Sequence, residues 1–346
     1  MSKFDKITQD LQEVIGDDKL KEVLQYRNLK LYWGTATTGK PHIGYLMPLL
    51  KIKDFIDADC EITILFADLH AYLDALKSTE EQLEYRVKYY TYIIKETLIA
   101  LGVSRENIEG DISKIKFVRG TEFQLTPKYS MDVYRLMSKM SLRDANKAGA
   151  EVVKQSKNPK IASLLYPGLQ ALDEEYLEVD CQFGGVDQRK IFMMSEKYLP
   201  QMGYKKRIHL MNPMIKSFNE DGEKMSSSEI DTKIDLIDTP KKIRKKIGKA
   251  FCPELDIDSG LFQFFEKVIW KIIKDKKETI LFKRPDEYGG NIEYNDLEEV
   301  KCNIINGNIH PVDFKQFISG FLIDILEPIR QLTNSEEFNQ ICKKAY

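Results

Sequence analysis

The sequence predicts an α/β fold: a doubly wound parallel sheet that carries a helical insertion and is followed by an all-α C-terminal domain. Three observations lead there. Short apolar or aromatic runs alternate with stretches of helical periodicity, the pattern of strand–helix–strand units that build a parallel sheet. Between about residues 120 and 163 the alternation lapses into consecutive helical patterns, as an insertion between two halves of such a sheet does. From Asp238 onward the strand runs give way to helical patterns and a cluster of cations. The expected units are residues 1–235 and 236–346.

Taken in order, residues 1–28 read as one or two helices, with Leu11, Val14 and Ile15, then Leu20, Val23 and Leu24, as apolar faces. Leu29 to Trp33 is a short apolar strand, broken by Gly34 and by Gly39-Lys40-Pro41. After Gly44, the residues Leu46, Leu49, Leu50, Ile52, Phe55 and Ile56 recur at helical spacing. In an open parallel sheet a ligand sits outside such a strand end. A glycine there lets the backbone approach a nucleotide, and the helix start offers unpaired N–H groups to phosphate. His42 lies in this loop, where both a cap and a catalytic group are open readings.

Glu61 to Phe66 is a second strand, with Asp68 to His70 at its C-terminal end. Thr79 to Leu101 is a long helix whose first-turn acids suit its N-terminus and which Gly102 stops. Lys116 to Val118 is a third strand. The inserted stretch bears Tyr134, Leu136, Met137 and Met140, open to reading as core or as a dimer face. Val179 to Gly185 is the next strand, and Val186 to Arg189 opens a helix; Gly184-Gly185 again permits close approach. Gly222 to Ser228 is small and polar with one lysine placed to reach out, the pattern of a mobile loop over 222–228. Lys241, Lys242, Arg244, Lys245, Lys246 and Lys249 put six cations in nine residues without an acid, either a solvated helix face or a surface for RNA phosphates. Leu261 to Ile273, Val312 to Leu326 and Ser335 to Ala345 read as helices.

Composition narrows the function classes. A chain of 346 residues, 42% of them hydrophobic, is long enough for two cores. No apolar run approaches a membrane span, and the opening MSKFDKITQDLQEV lacks the apolar stretch of a signal peptide, so no membrane association and a cytoplasmic location are expected. The five cysteines, Cys60, Cys181, Cys252, Cys302 and Cys342, form no CxxC pair. That argues against zinc or a disulfide framework and suits a reducing compartment. A net charge of -2 confines any nucleic-acid surface to a local patch. Neither GxGxxG nor a P-loop lysine motif occurs.

Pro41-His42-Ile43-Gly44 resembles the HIGH signature of class I aminoacyl-tRNA synthetases. Lys224-Met225-Ser226-Ser227-Ser228 resembles their KMSKS signature, in the expected order and at wide separation. Leu31 to Thr35, Phe66 to Tyr72, Tyr166 to Asp173 and Gly184 to Lys190 are similar to the tyrosyl-tRNA synthetase family in its archaeal and eukaryotic branch, so that nearly the whole chain is covered. The resemblance implies a Rossmann-like catalytic domain over 1–235 and a helical anticodon-binding domain over 236–346, assembled as a homodimer. It implies three substrates: L-tyrosine, ATP with Mg2+, and tRNA(Tyr). Zinc and organic cofactors are not expected. The implied reaction forms tyrosyl-adenylate and then charges the 3′ end of the tRNA.

Site residues follow from the same resemblance. Tyr32 and Asp173 match the pair that hydrogen-bonds the phenol. Tyr166, Gln170 and Gln188 surround the ammonium and carboxylate, where amides suit because they donate and accept. Leu65, His70 and Gln124 line the same pocket. For ATP, Gly34 and Gly44 allow backbone approach, Asp187 binds ribose hydroxyls and His42 donates to a phosphate. Lys224, Ser226 and Ser228 clamp the pyrophosphate. Arg189 matches a reader of the first acceptor base pair; Tyr288 and Asp313 match a stacking aromatic and an acid on the first anticodon base. Two positions depart from the motifs: Tyr45 replaces the second HIGH histidine and Ser227 the second KMSKS lysine, one cation fewer at the transition state. Three rivals stay open: a tryptophan-specific relative, a non-catalytic RNA-binding derivative and a general nucleotidyltransferase.

Overall fold

A computed structural model describes residues 1–74, 78–152, 160–220 and 233–346. Its centre is a six-stranded sheet of β1 (Glu13–Ile15), β2 (Lys30–Thr35), β3 (Glu61–Phe66), β4 (Ile115–Arg119), β5 (Cys181–Gly185) and β6 (Ile208–Asn212). The spatial order is β1-β6-β5-β2-β3-β4. All neighbours run parallel except β1, which pairs antiparallel with β6. The order reverses direction between β2 and β5, the switch point at which ligands of such sheets bind.

The loop and helix that follow β2 are built as the spacing predicts. His42 caps a single turn, Ile43–Tyr45, and the chain runs on into a helix over Leu46–Asp57. Counting α1 (Lys3–Thr8) and α2 (Asp17–Tyr26) before it, this helix is α3. α4 (Asp68–Leu73) and α5 (Glu80–Ala100) follow β3. Thr79 caps α5 in a reciprocal box with Gln82, and Gly102 at φ +94° turns the chain away beyond it. After the one-turn α6 (Arg105–Ile108) and β4 come α7 (Gly120–Gln124), α8 (Pro127–Lys139), α9 (Leu142–Gly149) and α10 (Ile161–Tyr176), then β5 and α11 (Arg189–Tyr198). Tyr129 and Leu136 of α8 bury against Leu169 and Leu172 of α10 and Ile191 and Met194 of α11. Tyr134, Met131 and Leu142 stay exposed.

One N-terminal expectation is corrected, and one strand was not foreseen. Leu11, Val14 and Ile15 do not form a helix face: Val14 and Ile15 belong to β1, paired with Leu210 and His209. The partner β6 was not expected at all. It is buried at all five positions, and the polar residue in its interior run, His209, meets the buried Glu174 at 2.8 Å, while Asn212 closes the strand.

The C-terminal part holds α12 (Pro240–Lys249), α13 (Gly260–Phe264), α14 (Trp270–Lys276), α15 (Leu297–Ile305), α16 (Pro311–Ile325), α17 (Glu327–Arg330) and α18 (Glu336–Ala345). A π turn over Phe265–Ile269 joins α13 to α14. To this helical array it adds a two-stranded antiparallel ribbon, β7 (Ile280–Phe282) with β8 (Ile292–Tyr294). One hydrophobic cluster runs without interruption from Leu31, Ile64 and Phe183 in the sheet, through α3 and α5, to Phe262, Phe314 and Leu322. Polar contacts reinforce the seam. Lys271 meets Asp54 at 2.6 Å, and the buried Lys51 reaches Asp54 at 3.2 Å and the Gln9 carbonyl at 2.7 Å. Burial brings the Lys51 ammonium down to about 8. Gly260 sits so close to the preceding segment that a β-carbon there would lie 2.0 Å from the Ser217 carbonyl oxygen.

Candidate active site

The C-terminal ends of β2, β3 and β5 open onto a closed pocket that leads into a wider cleft. The pocket is lined by Tyr32, Leu65, His70, Tyr166, Gln170, Asp173, Gln182 and Gln188, with Gly34 at its mouth. Eight of the residues named from sequence therefore meet here: Tyr32, Gly34, Leu65, His70, Tyr166, Gln170, Asp173 and Gln188. Gln124 stands behind them, donating from Nε2 to Asp173 Oδ1 at 2.7 Å.

The floor is polar and buried. Asp173 is 1% exposed, and its Oδ1 also accepts from the Tyr129 hydroxyl at 2.9 Å. Burial outweighs these two bonds and pushes its carboxyl up to about 7. Tyr32 donates to the Gln170 carbonyl at 3.2 Å, a long bond for a hydroxyl. Gln170 Nε2 donates to Gln188 Oε1 at 2.7 Å, which fixes both amides at the pocket wall. Burial lowers His70 to about 4, so its ring is neutral, and it stands edge-on to Tyr166 with ring centres 4.6 Å apart. Neither His70 nitrogen finds a well-aligned partner among the described residues. A carboxylate and a hydroxyl facing one pocket can hold a ligand hydroxyl, one accepting and one donating or accepting.

The outer cleft is lined by Gly34, Thr38, Gly39, Lys40, His42, Gly44, Tyr45, Gly184, Gly185 and Asp187 among others, and leaves about 390 Å³ for solvent. Two glycines of opposite character face it. At Gly34 a β-carbon would meet nothing nearer than Tyr32 Cε2 at 3.5 Å, so the protein itself leaves that space open. At Gly185 it would lie 2.4 Å from Asp187 Oδ1, so glycine there lets the carboxylate fold back over the strand end. His42 Nδ1 accepts from the Gly44 N–H at 3.2 Å, which puts the proton of the neutral ring on Nε2. The loop is tied down from the far side: Ile43 N–H donates to the Ile234 carbonyl at 2.9 Å, and Leu236 N–H to that of Pro41 at 3.3 Å.

The remaining predicted residues fall elsewhere. Lys224, Ser226 and Ser228, and with them the expected mobile loop over 222–228, lie outside the described residues. Arg189 is exposed at the start of α11 and forms a two-point contact with Glu13 of β1, at 2.7 and 2.9 Å. Tyr288 is 69% exposed in the loop between β7 and β8. Asp313 lies in the first turn of α16, whose cap is His310, and its Oδ2 is 4.0 Å from Arg284 Nη1. Arg284 also holds the Gly290 carbonyl at 3.1 Å, so one guanidinium brings the Tyr288 loop and Asp313 to the same end of the helical part.

Three contributors went unread in the sequence. Tyr129 engages Asp173, Tyr90 donates to the Gly39 carbonyl at 2.5 Å, and Gln182 faces the pocket with a buried Oε1 that finds no partner among the described residues. Tyr129 and Tyr90 sit on helices as ordinary apolar-face residues. Only Gln182, a lone amide in an apolar strand run, left a trace that pattern alone could have flagged.

The chain resembles known proteins along its length. A family model described as class I tRNA synthetases (W and Y) matches residues 24–327. A cytoplasmic tyrosine–tRNA ligase of Danio rerio is 51% identical over 345 residues, covering 99% of this chain and 63% of the relative. One of Saccharomyces cerevisiae is 47% identical over 351 residues, covering 99% of this chain and 87% of the relative. The chain thus spans less than two thirds of the length of the vertebrate relatives it matches. Among solved structures, tyrosyl-tRNA synthetase complexed with L-tyrosine from Archaeoglobus fulgidus aligns with a TM-score of 0.82 at 31% identity, over 95% of this chain and 98% of that one. The enzyme of Aeropyrum pernix aligns with a TM-score of 0.83 at 26% identity, over 99% of this chain and 97% of that one.

Proposed function

The chain belongs to the class I tRNA synthetases of the tryptophan and tyrosine family, and from that premise we propose that it is the tyrosine enzyme. It activates L-tyrosine with ATP and passes the tyrosyl group to the 3′ end of tRNA(Tyr). The observation that carries the choice of tyrosine is the pocket floor, where a buried Asp173 and the Tyr32 hydroxyl face one small space. An indole offers an N–H donor but no oxygen to accept from Tyr32, and phenylalanine offers neither, so each satisfies fewer of the polar groups at the floor than a phenol does. Tyrosyl enzymes are the standing example of that rule, and its size is theirs.

In the mechanism, the substrate phenol binds between Tyr32 and Asp173, and Gln170, Gln188 and Tyr166 take the ammonium and carboxylate. Leu65, His70 and Gln124 complete and brace the walls. ATP lies in the outer cleft, with its backbone approach at Gly34 and Gly44 and its ribose at Asp187. The tyrosine carboxylate attacks the α-phosphorus, the bond to the β-phosphate oxygen breaks, and pyrophosphate leaves. His42, with its proton on Nε2, donates to a phosphate oxygen as charge develops. Lys224, Ser226 and Ser228 act on the departing pyrophosphate. Magnesium would enter with the nucleotide and supply positive charge at its phosphates; among the described residues that line the cleft, Asp187 is the one acid. A ribose hydroxyl of the tRNA end then attacks the tyrosyl carbonyl and releases AMP.

The division of labour is a catalytic domain over 1–235 and an anticodon-binding domain over 236–346. Arg189 reads the first acceptor pair; Tyr288 and Asp313 read the first anticodon base, the ring stacking and the acid accepting from base N–H donors. Exposed Met131, Tyr134 and Leu142 support a homodimer through the inserted helices. No helix among the described residues is long and apolar enough to cross a membrane, and the names of the relatives support a cytoplasmic location. The deciding experiment is ATP–pyrophosphate exchange with each standard amino acid in turn. Exchange with tyrosine alone is the expected result; equal exchange with tryptophan or phenylalanine overturns the assignment.

A further inference from the structure

The signature loop between β2 and α3 is gripped from outside by two tyrosines. Tyr90 of α5 donates to the Gly39 carbonyl at 2.5 Å, and Tyr346, just beyond α18, donates to the same oxygen at 3.0 Å. A carbonyl has two lone pairs, so both bonds stand together. The Tyr346 ring meets the Arg86 guanidinium at 4.9 Å and the Lys40 ammonium at 5.4 Å, and stands edge-on to Tyr89 at 5.3 Å. Arg86 in turn donates from Nε to the Ala345 carbonyl at 2.9 Å. On the inner side the Tyr45 hydroxyl reaches Tyr90 at 3.5 Å and Thr35 Oγ1 at 2.9 Å. Hydroxyls therefore run from the end of α18 to the end of β2, with Gly39 in the middle. Burial pushes the Tyr90 hydroxyl far above its ordinary range, so it remains a donor at neutral pH; Tyr346 is 37% exposed.

Gly39 and Lys40 line the outer cleft, whereas Tyr346 does not. We propose that Tyr346 is a positioning residue for the nucleotide: by holding the Gly39 carbonyl and the Lys40 ammonium it sets the loop in the shape that accepts ATP. The docking of the last helix of the C-terminal part thereby tunes nucleotide affinity without touching the nucleotide. The inference rests on reading the cleft as an ATP site and adds to that reading a second group of residues that governs it.

The test is calorimetric titration of ATP into the wild type and Tyr346→Phe, with tyrosinol present because it has no carboxylate to react. The phenyl ring keeps the contacts with Arg86, Lys40 and Tyr89 and removes only the hydroxyl. ATP affinity is expected to fall roughly three- to tenfold, up to the worth of one hydrogen bond, with tyrosine affinity unchanged and the thermal midpoint lowered by no more than a few degrees. Tyr346→Leu, which also loses the ring, is expected to fall further. An unchanged ATP affinity in Tyr346→Phe, an equal loss for tyrosine, or no ATP binding by the wild type overturns the inference. A protein that binds ATP in this way yet exchanges pyrophosphate on another amino acid would keep the inference and lose the tyrosine assignment.

Discussion

The two ends of the candidate active site are built on opposite principles. The deep pocket leaves about 30 Å³ for solvent and the outer cleft about 390 Å³. In the pocket the recognising groups are side chains on β2 and α10, desolvated and already engaged: Asp173 with Gln124 and Tyr129, Gln170 with Gln188. In the cleft, five glycines, Gly34, Gly39, Gly44, Gly184 and Gly185, expose backbone among side chains of mixed character. A small pocket of fixed polar groups discriminates, because a ligand must match the bonding capacity they have left. An open cleft admits a large, hydrated, charged ligand and leaves the fine placement to loops. The contrast teaches that specificity and reactivity are lodged in different materials within one site.

The strongest way to break the contrast is at the pocket floor. Asp173→Ala removes the acceptor for the phenol and frees two donors, so selectivity for tyrosine over phenylalanine is expected to drop by roughly 10- to 150-fold, the range for a hydrogen bond to a charged group. Exchange kinetics with both amino acids read it; preserved selectivity would mean that the pocket discriminates by shape alone. A substitution remote from both ends serves as the control. Tyr288→Ala is expected to weaken tRNA charging by about tenfold, within the ~1–3 kcal/mol of one stacked base, while exchange stays intact. Parallel loss of exchange would tie the helical part to the chemistry instead.

Gly34→Ala probes the cleft. The new methyl meets only ordinary contacts within the protein, so the thermal midpoint is expected to hold while the KM for ATP rises roughly three- to tenfold. A fall in stability without a change in KM would show that this space is structural. The smallest effect is on stability and depends on pH. The Asp173 carboxyl lies at about 7 in the fold against about 3.9 in an unfolded chain. The folded state thus holds this proton more tightly, the group costs nothing at acid pH, and the cost grows from about pH 4 until it is complete above about pH 7. Asp173→Asn should therefore gain a few degrees in thermal midpoint over the wild type at about pH 8, and less at about pH 5.5. Equal gaps at both values would mean that Asp173 is not held protonated by the buried pocket.

Legibility in the sequence follows the same division. The loop around His42, the glycines of the cleft and the long helices announce themselves through turn chemistry and periodicity. The first and last strands of the sheet's far edge did not, and they failed together. β1 is three residues long and exists only because β6 supplies its hydrogen bonds. β6, in turn, is buried on both faces, so it has no alternation to detect, and His209 interrupts its apolar run because Glu174 is waiting in the core. In the pocket, Tyr129 was missed for a related reason: it looks like an ordinary helix-face residue, and only three-dimensional packing reveals its bond to Asp173. Gln182 did leave a trace, as a lone amide in an apolar strand run.

The close seat of Gly260 against the Ser217 carbonyl has a consequence for how such proteins diversify. Where two chain segments touch backbone to backbone, neither can change its course without the other, and no side chain can act as filler. Together with the Lys271–Asp54–Lys51 cluster, this makes the seam between the sheet and the helical part non-interchangeable. Recombination that grafts the helical part of one relative onto the sheet of another would have to carry both sides of the seam in the same exchange. Diversity is therefore expected to accumulate in what the helical part displays at its far end, around Tyr288 and Asp313, rather than in which helical part is attached.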